Sequence, residues 1–290
     1  GASSSNVNIA NTFIERQAEY GYTGKIYPIH PSAETISGLP AYPTLGDTPE
    51  PVDYAYLAIG ADRVPPLLSA ANGRVKFAQV ISAGFGEVEE GISLQTDLLT
   101  AARDGGCRII GPNCLGLHTP RGRVSFTKNA SPELGTVGVI SQSGGLGTDI
   151  VRRGHVRGVR FSGVLTVGNS ADLGPNDILE FYLADAQTKV VGMYLEDVKD
   201  GRRFAKILRG AKSRKPVVIL KGGRTSQGQR AAASHTGSLA GDDRVWDAMS
   251  KQTGCVLTDT LDQFLEALLA FQFMTPRAGR PTEQVILFGN

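Results

Sequence analysis

Short apolar runs alternate with amphipathic stretches along the chain, and this alternation constrains its fold more than any other feature. Apolar runs of this kind, separated by helix-like segments, are typical of parallel β-sheets whose two faces are covered by helices. The sequence therefore predicts an α/β fold. Strands are predicted at 25–29, 53–59, 77–82, 107–110, 136–141, 161–167, 190–195, 216–220 and 254–257. Helices are predicted at 6–20, 62–72, 90–104, 145–157, 175–186, 200–213, 242–252 and 260–272.

The segment 118–135 is rich in polar and turn-forming residues and interrupts this rhythm. We place a domain boundary there, which predicts two open parallel-sheet domains at 1–122 and 133–275; a chain of 290 residues has room for both. The opening GASSS suits a loop after a strand, so we expect the first strand of the first domain to precede it. Residues 283–290 are predicted to be the first strand of a further, truncated domain.

Composition excludes several classes of protein. A formal net charge of +2 gives no electrostatic basis for binding nucleic acid. No apolar run approaches the roughly 20 residues of a membrane span, and the N-terminus lacks the features of a signal peptide. Cys107, Cys114 and Cys255 are odd in number and scattered, which fits neither a disulfide framework nor a metal motif and predicts a reducing cytoplasm.

Loops after strands hold the candidate ligand contacts, because ligands of open α/β sheets bind at the carboxyl ends of strands. In the opening loop, Gly1 allows a tight turn, and the serine hydroxyl and N–H groups suit a phosphate or serve only as a helix cap. NAD is disfavoured, since His30 and Pro31 stand where a carboxylate is needed and the glycine spacing differs from G-x-G-x-x-G. Lys25 suits a phosphate-bearing ligand or is a solvated surface charge.

Two further loops of the first domain follow predicted strands, at 82–87 (SAGFGE) and 111–116 (GPNCLG). Their glycines let the backbone approach a ligand, although two ordinary connections are the alternative. Cys114 has no neighbouring base in sequence apart from His118, so we predict that it is a small buried residue rather than a nucleophile.

The segment VISQSGGLGTDIV, at 139–151, predicts an anion-binding cradle. An apolar strand leads through Ser141 and Ser143 into a helix near Gly144 and Gly145, so that hydroxyls, free N–H groups and the helix dipole meet at one point. No Lys-Ser/Thr pair follows the glycines, which excludes a Walker A loop. A glycine-rich packing turn is the alternative.

Glu196 and His235 complete the candidate chemistry. Glu196 directly follows an apolar strand, which places it at the ligand edge of the sheet. His235 lies in a segment of small residues, and the sequence allows a metal ligand, a general base, a phosphate acceptor or a bystander. Zinc and a serine hydrolase are disfavoured, because ligands with metal spacing and a G-x-S-x-G motif are missing. Transient phosphorylation suits a histidine that faces a carboxylate and a helix N-terminus.

Several segments together resemble the NDP-forming acyl-CoA synthetases, which belong with the succinyl-CoA synthetase superfamily. They follow the family's order over essentially the whole chain, and SHTGSLAG is highly specific. The segments are GPNCLG, GTVGVISQSGGLGTDIV, GNSADLGPNDILEF, KPVVILKGGRTSQGQRAAASHTGSLAGDDRVWDA and TLDQFLEAL.

The resemblance implies a Rossmann-like CoA-binding domain followed by a flavodoxin-like ligase domain. It implies that an acid, CoA and ATP are converted to acyl-CoA, ADP and phosphate through acyl phosphate and phosphohistidine intermediates. His235 matches the phosphorylated histidine, Glu196 the glutamate that holds it, and Ser143, Gly144 and Gly145 the loop that receives the phosphoryl group. The implied contacts of CoA are Ser3, Ser4, Ser5, Asn6, Lys25, Ala83, Gly84, Phe85, and, near its thiol end, Asn113 and Cys114.

The same resemblance implies partners. A small carboxylic acid is the substrate, the assembly is an oligomer, and ATP-grasp domains, fused or on a separate subunit, bind ATP and Mg²⁺ outside this sequence. No metal site is expected within the sequence itself. The chain departs from the family at His30, where an asparagine is usual, and at Gly60, where a proline is usual; both positions lie on the CoA rim.

An alternative function is a non-catalytic, CoA-sensing regulatory domain of a protein acetyltransferase. The phosphorylation residues can decay in such a domain, whereas His235, Glu196 and the Ser143 loop are all present here. Their presence favours the enzyme. The sequence identifies neither the acid nor the choice between ATP and GTP.

Overall fold

A computed structural model describes residues 2–3, 8–211, 215–223 and 243–274. Five candidate residues lie outside these ranges, as does the predicted strand at 283–290: Gly1, Ser4, Ser5, Asn6 and His235. The helices are α1 (Ile9–Tyr20), α2 (Val64–Ser69), α3 (Ile92–Asp104), α4 (Gly144–Val156), α5 (Pro175–Ala184), α6 (Gly201–Ala211), α7 (Asp243–Thr253) and α8 (Leu261–Phe273). Within the described ranges, none of them is long and apolar enough to cross a membrane.

The strands form two larger sheets and one hairpin. Most lie within two or three residues of their predicted positions. They are β1 (Thr35–Ile36), β2 (Leu39–Pro40), β3 (Val52–Leu57), β4 (Val75–Val80), β5 (Arg108–Ile110), β6 (Leu117–Thr119), β7 (Val124–Ser125), β8 (Val137–Ser141), β9 (Phe161–Thr166), β10 (Val190–Leu195), β11 (Val217–Lys221) and β12 (Val256–Thr258).

The first sheet consists of β3, β4 and β5, which are all parallel. Its core is fully buried where α2 and α3 cover it, for example at Leu68 and Leu98. The prediction of a strand at 25–29 is wrong, because only Ile29 forms a bridge, with Tyr42. Pro28 within this segment has no N–H to donate to a ladder, which explains why no regular strand forms.

The second sheet has the strand order β12-β11-β10-β8-β9-β6-β7, with β8 to β12 all parallel. Helices α4 and α8 pack on one face, and α5, α6 and α7 pack on the other. Every residue of β8 and β11 is buried, as expected for strands covered on both sides. The order of the five parallel strands is that of a flavodoxin-like sheet.

Two short strands that the sequence did not predict extend the edge of the second sheet. β6 pairs antiparallel with both β9 and β7, so residues 117–125 belong to this sheet by hydrogen bonding. Strands of two or three residues are too short to show a periodic pattern, which is why the interruption at 118–135 concealed them.

His118 on β6 gives the fold a predicted sensitivity to acid. The ring is 1% exposed, packs beside Tyr20 and Phe161, and has Nδ1 3.2 Å from Ser125 Oγ. Burial, with a smaller contribution from His155, lowers the pKa of His118 to about 4. An unfolded chain binds this proton near pH 6.5, so the His118 contribution to stability is present above that pH and is lost as the pH falls toward 4.

We expect this group alone to remove up to about 1.4 kcal/mol of unfolding free energy per pH unit in that window. Urea unfolding of the wild type and of His118→Gln between pH 7 and pH 4 measures the effect. The variant should have a lower free energy of unfolding at pH 7, and this free energy should fall less steeply than that of the wild type as the pH decreases. If the free energy of unfolding fell equally steeply with pH in the two proteins, His118 would not be the group that causes the acid sensitivity.

Candidate active site

The carboxyl ends of β8 and β10 meet in the middle of the second sheet. The two strands are hydrogen-bonded neighbours, and the helices that follow them, α4 and α6, pack on opposite faces. Ligands of open sheets bind in the crevice that such diverging connections create. Ser143 and Glu196 follow these two strands, so the fold brings both predicted residues to the same crevice.

The turn after β8 is built as a helix cap. Ser143 Oγ accepts a hydrogen bond from the N–H of Leu146 at 3.2 Å, and Ser141 Oγ donates to the carbonyl of Ser143 at 2.6 Å. A Cβ at Gly144 would lie 2.6 Å from a leucine side chain, whereas one at Gly145 would meet nothing within 4 Å. The first turn of α4 thus presents N–H groups and a partial positive charge next to open space, which suits an anion.

Glu196 is 7% exposed, and its backbone is held by Gln142. Gln142 Oε1 accepts hydrogen bonds from the N–H groups of Glu196 and Asp197, at 2.5 and 3.1 Å, and its Nε2 donates to Asp197 Oδ1 at 2.6 Å. Tyr194 also donates a hydrogen bond to Glu196 Oε1 at 3.3 Å. The glutamine therefore ties the cradle of α4 to the glutamate loop, a role that the sequence analysis missed although Gln142 stands between the two serines.

Lys221 at the end of β11 places a buried cation beside this loop. The side chain is 6% exposed, Nζ donates to the carbonyl of Glu196 at 2.8 Å and to that of Gly222, and it lies 5.7 Å from the centre of the Trp246 ring. Burial and the charge of Glu196 raise the pKa of Tyr194, so its hydroxyl stays a donor. Sequence reasoning missed Lys221; the signal was a lysine directly after the apolar run PVVIL.

The loops after β4 and β5 in the first domain meet at the carboxyl ends of their strands. The N–H of Asn113 donates to the carbonyl of Ser82 at 3.0 Å, which joins the two loops. Gly84 has φ of +100° and is exposed, whereas Phe85 is completely buried in the core of the first domain. Ala83 and Gly84 are therefore the accessible part of this loop, and the phenylalanine side chain anchors it.

The other predicted CoA residues are more dispersed. Lys25 is exposed and pairs with Glu50, with Nζ 2.8 Å from Oε1. Ser3 exchanges backbone hydrogen bonds with the amide side chain of Asn11 on α1. Cys114 is 3% exposed and donates to the carbonyl of Val80 at 3.2 Å, and burial raises the pKa of its thiol to about 12. Its side chain is a packing group, as predicted.

The described residues contain no cluster of three or more His, Cys, Asp or Glu side chains that could hold a metal ion. What the crevice offers is a helix N-terminus for an anion, a buried carboxylate and a buried ammonium group. This combination suits the stabilisation of a transferring phosphoryl group by fixed dipoles and charges.

Comparison with known proteins assigns both halves of the chain. Residues 1–120 match the family described as CoA binding domain, and residues 134–271 match the one described as succinyl-CoA ligase like flavodoxin domain. The alpha subunit of acetate–CoA ligase [ADP-forming] II from Pyrococcus furiosus is 38% identical over 283 residues, which is 97% of this chain and 62% of the relative. The chain belongs to the NDP-forming acyl-CoA synthetase family.

A further relative and a solved structure support the same family assignment. The chain is 34% identical to the 4-hydroxybutyrate–CoA ligase [ADP-forming] of Nitrosopumilus maritimus over 258 residues, or 87% of this chain and 37% of that one. Candidatus Korarchaeum cryptofilum dinucleotide forming acetyl-coenzyme A synthetase 1, solved with phosphate and ADP, matches with a TM-score of 0.89 and 34% identity over 96% of this chain and 61% of its own. The chain thus spans less than two thirds of the length of each of these relatives.

These matches confirm the predicted order of a Rossmann-like CoA-binding domain and a flavodoxin-like ligase domain. The names of the relatives give no support to the alternative of a CoA-sensing regulatory domain. The site residues themselves stay predictions.

Proposed function

We propose that this chain is the CoA-binding and ligase part of an enzyme that converts a carboxylic acid, CoA and ATP to acyl-CoA, ADP and phosphate. The observation that carries the proposal is the placement of Glu196 and the Ser143 cradle at the ends of adjacent strands. β11 lies beside β10 and ends at Lys221, and the segment that contains His235 follows it in sequence.

The reaction divides into three balanced steps. The terminal phosphoryl group of ATP passes to an imidazole nitrogen of His235, and ADP leaves. The carboxylate of the acid then attacks phosphorus, which forms an acyl phosphate and frees the histidine. Finally the CoA thiol loses its proton and attacks the acyl carbon, and phosphate leaves as the acyl-CoA forms.

Each group of the crevice has a role in these steps. The Glu196 carboxylate accepts a hydrogen bond from one ring nitrogen of His235 and leaves the other nitrogen free as the nucleophile. The N–H groups at Gly144 and Gly145 and the hydroxyl of Ser143 receive the phosphoryl oxygens. Ser141, predicted as a further contact, is fully buried and donates its hydroxyl proton to the carbonyl of Ser143, so it holds the turn in place. Gln142 and Lys221 hold the loop of Glu196 in place.

The nucleotide belongs to other domains in this proposal. ATP and Mg²⁺ bind to ATP-grasp domains, fused to this chain or on a separate subunit of an oligomer. The proposal also keeps the domain division at 1–122 and 133–275, with residues 117–125 pairing on the edge of the second sheet. The three cysteines are free and buried, which supports a reducing cytoplasm as the compartment.

The CoA part of the proposal is tested by a pair of glycine variants. Gly84 and Gly73 both have positive φ, +100° and +74°, and a Cβ at either meets no atom closer than 3.8 Å. Gly84→Ala and Gly73→Ala therefore impose similar backbone strain, but only the first lies on the predicted CoA rim. Calorimetry should show CoA binding and little response to NAD in the wild type.

We expect Gly84→Ala to weaken CoA binding by about tenfold, which is 1.4 kcal/mol, and Gly73→Ala to leave it within about twofold. Tight binding of NAD without binding of CoA would refute the assignment of the first domain. If the two substitutions changed the affinity for CoA equally, Gly84 would not be part of the CoA site.

A further inference from the structure

The loop after β4 is closed by the carboxylate of Glu87. Glu87 Oε1 accepts hydrogen bonds from the N–H groups of Gly84 and Phe85, and both oxygens lie 3.2 Å from the N–H of Phe85. Burial raises the pKa of Glu87, but the hydrogen bonds from Asn169 and from these backbone groups outweigh it, so the pKa lies below its usual range. The group stays ionised and shapes the accessible part of the predicted CoA loop.

The same carboxylate reaches across to the second domain. Glu87 Oε2 accepts a hydrogen bond from Asn169 Nδ2, in the loop that follows β9. The N–H of Asn169 donates to the carbonyl of Pro112 at 3.0 Å, and its Oδ1 accepts from Asn113 Nδ2 at 3.4 Å. Asn169 thus contacts both ligand-rim loops of the first domain.

Asn169 is also tied to the loop that carries Glu196. Lys199, three residues after that glutamate, donates from Nζ to the carbonyls of Asn169 and Ser170, at 2.8 and 2.9 Å. The chain of contacts therefore runs from the CoA loop through Glu87, Asn169 and Lys199 to the β10–α6 loop. These contacts bridge the two domains at the carboxyl ends of the strands of the second sheet, where the reacting groups of the proposed mechanism lie.

We propose that Glu87 and Asn169 form an inter-domain clamp that positions the CoA loop over the phosphoryl-transfer crevice. The clamp rests on the proposed function, because only acyl transfer to CoA requires the two domains to hold their ligands in register. A thiol must lie close to the acyl carbon and in line with the leaving phosphate, and small displacements of one domain cost rate steeply. Neither residue touches the reacting atoms, so both are positioning residues.

The test uses Glu87→Gln and Asn169→Ala in the complete synthetase. The first substitution replaces one of the two acceptor oxygens by an amide N–H₂ group, which cannot accept from the backbone or from Asn169. We therefore expect the KM for CoA to rise about tenfold and acyl-CoA formation to slow, while labelling by ATP, which precedes CoA in the sequence of steps, stays within about twofold. The double variant should lose no more than the worse single one, because both break the same contact.

Glu180→Gln is the matched control. Glu180 pairs with Arg203 on the exposed surface of α5 and α6, with Oε2 2.6 Å from Nη2, so the same chemical change there should leave the KM for CoA unaltered. An unchanged KM for CoA in Glu87→Gln, or a parallel loss of ATP labelling, would overturn the clamp.

Two measurements without turnover separate the clamp from the proposed function. A wild-type enzyme that neither labels nor makes acyl-CoA would refute the function. Calorimetric CoA affinity and hydrogen exchange at residues 83–86 would still test the clamp, which predicts weaker affinity and faster exchange in Glu87→Gln than in Glu180→Gln. Equal CoA affinities and equal exchange rates in Glu87→Gln and Glu180→Gln would refute the clamp.

Discussion

His235→Ala is expected to abolish both the phosphorylated form of the enzyme and the formation of acyl-CoA. In the proposed mechanism His235 is the nucleophile that accepts the phosphoryl group, and losses of about 10³-fold or more are typical when a covalent catalyst loses that group. Incubation of the complete synthetase with labelled ATP, followed by acid and base treatment, measures the first effect. A phosphohistidine label is lost in acid and survives in base.

Two variants sharpen this experiment. Glu196→Gln should leave weak labelling, because the nucleophile remains while its orienting charge is gone. His155→Ala should label normally, since His155 lies near the end of α4 opposite to the Ser143 cap. Full labelling of His235→Ala would disprove the proposed mechanism.

Residues 1–290 alone are expected to make no acyl-CoA from ATP. The sequence has no Walker lysine, and the described residues hold no acidic cluster for Mg²⁺ on a triphosphate. A transferring phosphoryl group needs metal and cationic neutralisation as well as in-line positioning. The assay compares the chain alone with the chain supplied with ATP-grasp domains, in trans or by fusion.

The supplemented reaction should form acyl-CoA at least about 10³-fold faster than the chain by itself. Addition of the same ATP-grasp domains to His235→Ala serves as the control, and it should give no increase. Robust synthesis by the isolated chain would overturn this division of labour.

The pattern of apolar runs was most informative in the second domain. Strands β8 to β12 are buried on both faces, so their side chains must be apolar without interruption, and this is visible in one sequence. The helix start after Ser143 was visible for the same local reason, because a helix start is specified by residues within one turn. The first domain was less clear, and the strand at 25–29 was predicted wrongly where Pro28 breaks the ladder.

Contacts between distant segments escaped the sequence analysis. Gln142 and Glu196 are 54 residues apart, and Glu87 and Asn169 are 82 apart. Each of these side chains is an ordinary polar residue in its own loop, so nothing local marks its partner. The short strands β6 and β7 were missed because they exist only as an edge of the sheet that β9 provides.

The sequence by itself determined the α/β class, the presence of two domains and the positions of the loops at the ligand edge, because these depend on local periodicity and turn chemistry. Only the tertiary structure decided that β8 lies beside β10, which brings Ser143 and Glu196 to one crevice, and that Asn169 joins the two domains. Strand order depends on the packing of whole elements against one another. That is a property of long-range contacts, which no single window of sequence contains.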